Sequence, residues 1–270
     1  MQRIIKERMI KFAVLTVYDV GHGNYNSVST EDDQILFDLG AGKHLNKFQL
    51  NTHVSNYFHS SDKSLLIISH WDVDHINLIL ALSNNQLRLI EAVIAPVPPS
   101  TSTCKRIIKR FNDESVELFL VPPINKLLKG VEVELGLVYT YSFIGKEQID
   151  LYIYRSSGSS NKNLDSIVTY VETNNNRILL TGDNHYNKAV KFVLDKSKGL
   201  LSPLYTVVPH HGGEAGKIDS LSWKSHSLVK LICSRCDSNK YNHTLRSVIN
   251  NFPWCLVEET NGTGSKINIL

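Results

Sequence analysis

Twice along this chain, a run of closely spaced apolar strands gives way to strands that alternate with helices. The first run is predicted over residues 12–20, 25–30 and 34–38, which are separated by glycines and short polar stretches typical of an antiparallel meander. Strands and helices then alternate between residues 47 and 121, and the same order recurs from residue 131 onwards. Because strands that alternate with helices form parallel sheets covered by those helices, the sequence predicts an α/β (α+β) fold with two similar halves.

Length and composition favour a single domain over residues 1–270. Hydrophobic residues make up 42% of the chain and charged residues 20%, which suffices for a large core and excludes a disordered chain. The formal net charge of +3 is too small to indicate a nucleic-acid-binding protein by itself. No apolar run approaches the ~18 residues of a membrane span, and four cysteines are too few for a disulfide framework, so we expect no membrane partner and a cytoplasmic location.

Four potential metal ligands fall within six consecutive residues, namely His70, Asp72, Asp74 and His75. They follow an apolar strand and lead into a helix predicted over residues 75–82, so they lie where α/β folds place their ligand sites. Two carboxylates and two imidazoles held this close would be poorly solvated unless cations neutralised them. The segment therefore predicts a metal site.

Further candidate ligands follow other strands. Asp183 comes after a strand predicted over residues 177–180, His210 and His211 come after another, and His243 precedes a predicted helix. Of the two adjacent histidines, His210 is the predicted ligand, and His211 is expected to orient it, to contact substrate or to be merely a surface residue. With the first four residues this makes seven metal ligands, more than the four or so that one zinc takes, so we expect two cations with Asp183 as the bridging carboxylate.

The order of these motifs resembles that of the metallo-β-lactamase superfamily, whose signature is His-x-His-x-Asp-His after a strand, with an Asp and further His ligands downstream. More narrowly, the sequence resembles the soluble hydrolase domain of ComEC-type DNA-uptake proteins, which have Asp at the third signature position, as Asp72 is here. The matching segments are residues 19–23, 37–40, 179–183, 210–213 and 241–243.

The chain also departs from the ComEC-type pattern. His22 and Asn24 stand where that pattern has Gln and Asp, Asn77 and Leu78 where it has two glycines, and Thr244 where it has Pro. None of these changes removes a proposed ligand. His22 is expected to lie near the site without a catalytic role.

The resemblance implies a four-layer αββα sandwich with two divalent metal ions, zinc or manganese, at one edge of its sheets. Three aspartates among the ligands favour manganese somewhat over zinc. We hypothesise that the ions acidify a bridging water to a pKa near ~7 and that the resulting hydroxide attacks phosphorus or a carbonyl carbon. Asp74 would orient this hydroxide, while His211 or His243 would contact the substrate or protonate the leaving group.

The leading functional prediction, which depends on the resemblance, is a phosphodiesterase or nuclease. One alternative is a carbonyl hydrolase acting on a lactone or thioester, and another is a degenerate member that binds a nucleotide or a protein. From residue 214 to the C-terminal residue there are seven basic and five acidic side chains, a modest excess. A single-stranded nucleic acid or a nucleotide is therefore a more plausible phosphodiester substrate than a long duplex.

Overall fold

The computed structural model describes residues 13–30, 34–58, 63–123, 135–144, 148–156, 161–197, 202–233, 246–260 and 265–268. The strands among them are β1 (Val14–Val17), β2 (Tyr25–Ser29), β3 (Gln34–Leu39), β4 (Ser64–Ile67), β5 (Ile90–Pro96), β6 (Glu117–Val121), β7 (Leu135–Ile144), β8 (Gln148–Ser156), β9 (Val168–Glu172), β10 (Arg177–Leu180), β11 (Leu204–Val207), β12 (Leu228–Cys233), β13 (Leu256–Glu259) and β14 (Ser265–Asn268).

Helices lie between many of these strands. They are α1 (Lys47–Tyr57), α2 (Val73–Ile76), α3 (Asn84–Leu87), α4 (Ser102–Asp113), α5 (Tyr186–Phe192), α6 (Ser220–Ser225) and α7 (Arg246–Asn250), with 3₁₀ turns at Asn77–Leu80, Leu194–Ser197 and Pro209–Gly212. Within the described ranges the longest helices, α1 and α4, have 11 and 12 residues, and none combines the length and apolar character of a membrane span.

The strands form two sheets of seven, each half antiparallel and half parallel. The order in the first sheet is β14-β1-β2-β3-β4-β5-β6, antiparallel as far as β3 and parallel from β3 to β6. In the second sheet the order is β13-β12-β11-β10-β9-β8-β7, antiparallel from β7 to β10 and parallel from β10 to β13. Each sheet thus combines a meander with a parallel part, as the sequence predicts.

Alternation along the strands produces three apolar layers. In β3, Ile35 and Phe37 face the second sheet, whereas Leu36 on the other face packs against helices. Phe111 of α4 closes the outer layer of the first sheet, and Trp223 of α6 closes that of the second. Helices therefore cover both outer faces of the paired sheets, which is the αββα sandwich expected from the sequence.

Strand direction decides which loops meet. Because β2 is antiparallel to both β1 and β3, and β4 is parallel to β3, the strands β1, β3 and β4 all end at the same edge of the first sheet. The parallel strands β10 and β11 likewise end together in the second sheet. A backbone hydrogen bond of 2.8 Å from Ile167 N–H to the Ser69 carbonyl joins the two sheets beside this edge. The candidate ligands lie in the loops that leave these strand ends.

The segment that carries Asp74 and His75 differs from its predicted form. Instead of a helix over residues 75–82, α2 begins at Val73 and ends at Ile76, and a 3₁₀ turn follows. At this junction Asn77 binds the loop after β3, accepting from the Ala41 N–H at 2.7 Å and donating to the Ala41 carbonyl at 2.9 Å. The short helix is thereby fixed against the end of β3.

Gly40 provides the close contact between that loop and α2. A Cβ atom at this position would lie 1.8 Å from the Asp74 carbonyl oxygen, which is backbone and cannot rotate away. We expect Gly40→Ala to lower the free energy of unfolding by about 3 kcal/mol, measured by urea denaturation.

Gly42→Ala is the matched control for this prediction. Its Cβ would lie 3.5 Å from the Leu45 side chain and 3.9 Å from the His22 backbone nitrogen, both ordinary van der Waals contacts. Its free energy of unfolding should stay within about 0.5 kcal/mol of the wild-type value. Equal stability of the two variants would contradict the account of Gly40.

Candidate metal centre

Three side chains from both sheets form a fully buried group, named here group one, which consists of His70, His75 and Asp183. His70 follows β4, His75 belongs to α2, and Asp183 follows β10. His75 Nε2 lies 3.2 Å from Asp183 Oδ1, and His70 Nε2 lies 3.7 Å from Asp183 Oδ2.

A second group, named here group two, lies beside the first and consists of His22, Asp74 and His211. The Nε2 atoms of His22 and His211 lie 3.6 Å and 3.7 Å from Asp74 Oδ2. His211 Nε2 is also 3.5 Å from Asp183 Oδ1, so Asp183 lies between the two groups.

The distances between these nitrogen and oxygen atoms fit two atoms bound to the same cation better than the two atoms of a hydrogen bond. Hydrogen bonds from nitrogen to oxygen have lengths near ~2.9 Å. Atoms bound about 2.0–2.1 Å from a tetrahedral zinc lie roughly 3.4 Å from one another. The distances in both groups scatter around the second value, from 3.2 to 3.7 Å.

Several of the facing atoms are buried and form no regular hydrogen bond. They are the Nε2 atoms of His70 and His75 and the Oδ1 atoms of Asp74 and Asp183. Buried polar atoms are nearly always hydrogen bonded, so four exceptions at one place require a reason. Imidazole nitrogen and carboxylate oxygen are donors that suit divalent transition metals, and the residues present fit such ions.

Asp38 orients both histidines of group one. Its Oδ2 accepts from His75 Nδ1 at 2.7 Å and from Ser69 Oγ at 2.7 Å. Since the Ser69 hydroxyl donates to Asp38, it accepts from His70 Nδ1 at 3.0 Å. Each ring therefore donates from Nδ1 and turns Nε2 towards Asp183, an arrangement that histidine ligands of metals commonly share.

Two further donors complete the surroundings of Asp38. Its Oδ1 accepts from the Ser69 backbone N–H at 2.6 Å, and its Oδ2 accepts from Asn24 Nδ2 at 2.7 Å. Asn24 Oδ1 in turn accepts from Asn26 Nδ2 at 2.7 Å. One of the departures from the ComEC-type pattern, Asn24, thus supports the carboxylate that orients the histidines.

The protonation states of His70, His211 and Asp183 suit cation binding. Burial lowers the pKa of His70, and it lowers the pKa of His211 to about 3, so both rings are neutral at neutral pH. Burial acts in the same direction on His75, but the carboxylates of Asp183 and Asp38 outweigh it and raise its pKa well above the ordinary value. Although burial raises the pKa of Asp183, the neighbouring His75 and His211 bring it well below the usual range.

Lys43 brings an ammonium group to group two. Its Nζ lies 3.2 Å from Asp74 Oδ2, and its side chain is 38% exposed. Burial lowers the pKa of Lys43, but Asp74 more than compensates and raises it, so the ammonium stays charged. Lys43 thus neutralises part of the buried negative charge while remaining accessible from solvent.

The turn after β11 places two adjacent histidines differently. His210 and His211 have φ values of 50° and 52°, in the left-handed region that residues other than glycine rarely adopt. The side chain of His211 is 3% exposed and belongs to group two, whereas that of His210 is 29% exposed, with Nε2 at 3.8 Å from Asp183 Oδ2. The geometry favours His211 as a ligand, and the predicted ligand role of His210 stays a prediction.

One other predicted ligand, Asp72, lies apart from the groups. Asp72 belongs to neither group; its side chain is 30% exposed, and its Oδ1 pairs with Lys162 Nζ at 3.2 Å. His243 lies outside the described residues, and its role stays a prediction. In contrast, His22, Lys43 and Asp38 are site residues to which the sequence analysis gave no role in binding metal.

A signal for each of these three residues is present in the chain. Asp38 is an ionisable residue at the end of an otherwise apolar strand, and His22 and Lys43 follow strands that end at the ligand-bearing edge. To place His22 and Lys43 at the site, one must know the order of strands in the first sheet. The local pattern of apolar residues does not give that order.

Comparison with known proteins identifies the fold. No family model matches the sequence, and no curated protein matches it. The metallo-β-lactamase fold protein YhfI from Bacillus subtilis is 13% identical, with a TM-score of 0.51 over 95% of this chain and 99% of its own. The short form of human tRNase Z is 13% identical, with a TM-score of 0.53 over 96% of this chain and 99% of its own.

A variant of the CmlA β-hydroxylase is 9% identical, with a TM-score of 0.52 over 95% of this chain and 54% of its own, so this chain spans about half of that protein. The chain therefore has the metallo-β-lactamase fold, and the predicted α/β sandwich is confirmed. The narrower ComEC-type resemblance stays a prediction.

We expect Asp38→Asn to weaken cation binding about 10- to 100-fold. Either orientation of the amide places its NH₂ group against a donor, since Ser69 N–H faces Oδ1 while His75 Nδ1 faces Oδ2. The rings of group one then lose their fixed orientation. Zinc and manganese affinities are measured by isothermal titration calorimetry.

Asp195→Asn is the control for this substitution. Asp195 Oδ1 pairs with His226 Nε2 at 3.2 Å, also a contact between a carboxylate and an imidazole. The backbone carbonyl of His226 binds Arg177, the first residue of β10, whereas Asp183 follows the other end of that strand. Cation affinity should be unchanged in Asp195→Asn, and an equal loss in both variants would refute the orienting role of Asp38.

We also expect His211→Asn to lose one bound cation and His210→Asn to keep its full complement. Asparagine is chosen because it tolerates left-handed backbone conformations better than most residues. We expect this difference in bound cations because His211 Nε2 faces two buried carboxylates, whereas His210 is partly exposed. The metal content of both variants is measured by elemental analysis. Loss of a cation in His210→Asn but not in His211→Asn would restore His210 as the ligand.

Proposed function

We propose that this chain is a metal-dependent hydrolase that cleaves phosphodiester bonds with two divalent cations, zinc or manganese. The observation that carries the proposal is the position of Asp183 between two groups of buried ligand atoms. Its Oδ1 lies 3.2 Å from His75 Nε2 in group one and 3.5 Å from His211 Nε2 in group two. One carboxylate oxygen could therefore serve cations on both sides.

The ligand atoms fit the chemistry that this reaction needs. Divalent cations at such a centre acidify water at neutral pH and stabilise the negative charge that develops on phosphoryl oxygens. Group one would hold one cation through His70, His75 and Asp183. Asp74 and His211 would hold the other, and the short α2 keeps Asp74 and His75 adjacent while directing them to different groups.

The charges around the groups favour an anionic substrate over a neutral one. The ammonium of Lys43 lies at group two, and that of Lys162 reaches Asp72, two residues before Asp74. Both lysine side chains are solvent accessible, so they can contact a phosphate that approaches from outside. Lactones and thioesters carry no charge that would need these cations.

His210 is placed to act on the leaving group. Its ring is partly exposed at 3.8 Å from Asp183 Oδ2, and its Nδ1 lies 3.1 Å from the Glu214 carbonyl oxygen. Since a carbonyl only accepts, Nδ1 donates in that contact, and Nε2 is the ring nitrogen near Asp183. A protonated Nε2 would deliver a proton to the departing alkoxide.

The fold alone does not indicate which reaction the chain carries out. Its structural neighbours include, by their names, a tRNase and a β-hydroxylase, so the argument for phosphodiesters comes from the side chains and from the ComEC-type resemblance. Single-stranded nucleic acid or a nucleotide is the proposed substrate class, as the modest positive charge of the C-terminal part suggests.

The proposal predicts that metal-loaded protein hydrolyses bis(p-nitrophenyl) phosphate and single-stranded DNA or RNA. Asp183→Asn should lower kcat at least about 1,000-fold, because an amide cannot neutralise two cations as a carboxylate does. Activity is measured on protein treated with chelator and then reloaded with zinc or manganese.

Asp113→Asn serves as the control for this prediction, because Asp113 is an exposed residue paired with Lys109 and its loss should leave kcat unchanged. Ready hydrolysis of a lactone or thioester with no cleavage of any phosphodiester would replace the proposal with a carbonyl hydrolase. Bound metal without turnover of either substrate class would favour the degenerate binding protein.

A further inference from the structure

His22 lies close enough to Asp74 and His211 to share a cation with them. The three ligand atoms lie within 4.8 Å of one another, and the rings of His22 and His211 are in contact with centroids 4.7 Å apart. His22 Nε2 is 3.6 Å from Asp74 Oδ2, too long for a hydrogen bond and close to the separation of two ligands on one zinc.

The backbone fixes the loop that carries His22. On one side of His22, the Val20 carbonyl accepts a hydrogen bond of 3.1 Å from Gly42 N–H. On the other side, Asn24 N–H donates to the Asp74 carbonyl at 3.0 Å. The loop is thus tied directly to α2, the element that provides Asp74.

Asp72 does not belong to group two. It is the third residue of the signature and the ligand that the sequence pattern predicts, but it belongs to neither group and pairs with Lys162 at the surface. Without another side chain, group two would have only Asp74 and His211. His22 supplies the third ligand atom from a different loop.

We propose that His22, together with Asp74 and His211, holds the second divalent cation of this chain, and that Asp72 is not one of its ligands. The inference rests on the proposed function, because it assigns the ligands of the same two-metal centre. Two imidazoles and one carboxylate form a donor set that suits zinc and other borderline cations better than magnesium.

Lys43 competes with this cation. Its ammonium lies 3.2 Å from Asp74 Oδ2, the oxygen that His22 and His211 also face. A cation bound to that oxygen would repel the ammonium, whose partly exposed side chain can turn towards solvent or a substrate phosphate. Lys43→Met should therefore raise the affinity for the second cation roughly fivefold, and an unchanged affinity would refute the competition.

The test is the number of zinc ions bound by the full-length chain, measured by calorimetry and elemental analysis. We expect two ions for the wild type and for Asp72→Asn, and one for His22→Gln, whose remaining site keeps its wild-type affinity. His53→Gln is the matched control, because His53 belongs to α1 and to neither group. It should bind two ions.

A second measurement on the wild type does not depend on any variant folding. In protein labelled with ¹⁵N-histidine, the Nε2 resonance of His22 should shift on addition of the second equivalent of zinc. A resonance that does not move would overturn the assignment of His22, as would two ions of unchanged affinity in His22→Gln or loss of an ion in Asp72→Asn. A wild type that binds no divalent cation would instead overturn the proposed function itself.

Discussion

The site depends on how the negative charges of three buried carboxylates are compensated. Asp38 receives hydrogen bonds from Asn24, Ser69 and His75, so its charge is satisfied within the protein. Asp74 and Asp183 are buried as deeply, but each keeps an oxygen without a regular hydrogen bond. Because a buried and unbonded carboxylate is unfavourable, the chain gives up stability at these two residues, whose oxygens face the Nε2 atoms of the clustered histidines. Asp38 therefore orients the histidines of the site, whereas Asp74 and Asp183 are the carboxylates whose charge a bound cation would compensate.

Much of the fold follows from local patterns in the sequence. The residues Ile35, Leu36 and Phe37 of β3 are consecutive and apolar, and because successive side chains of a strand point to opposite faces, such a run predicts a strand that is buried on both faces. The ligand types in the segment from His70 to His75 likewise predict a metal site without any knowledge of tertiary structure. The fold class was therefore accessible from the residues, as was the prediction of a metal site at strand ends.

The detailed assignment of ligands depends on contacts that the local sequence does not encode. Asp72 is drawn to Lys162, which is 90 residues away along the chain. Whether His210 or His211 points inwards is decided by two successive left-handed backbone conformations. His22 joins the site because β1 runs parallel to β3, a relation set by the strand order of the whole sheet. These are properties of the folded chain, and a motif comparison cannot supply them.

The ligand groups draw on both sheets, since His70 and His75 come from the first and Asp183 and His211 from the second. A cation held by both would act as a clamp across the sandwich, and its binding free energy would resist separation of the two halves. Chelation would then loosen the apolar layer between the two sheets, to which Phe37 and Ile178 belong. A bound metal would thereby raise the stability of the folded chain as well as take part in the proposed reaction.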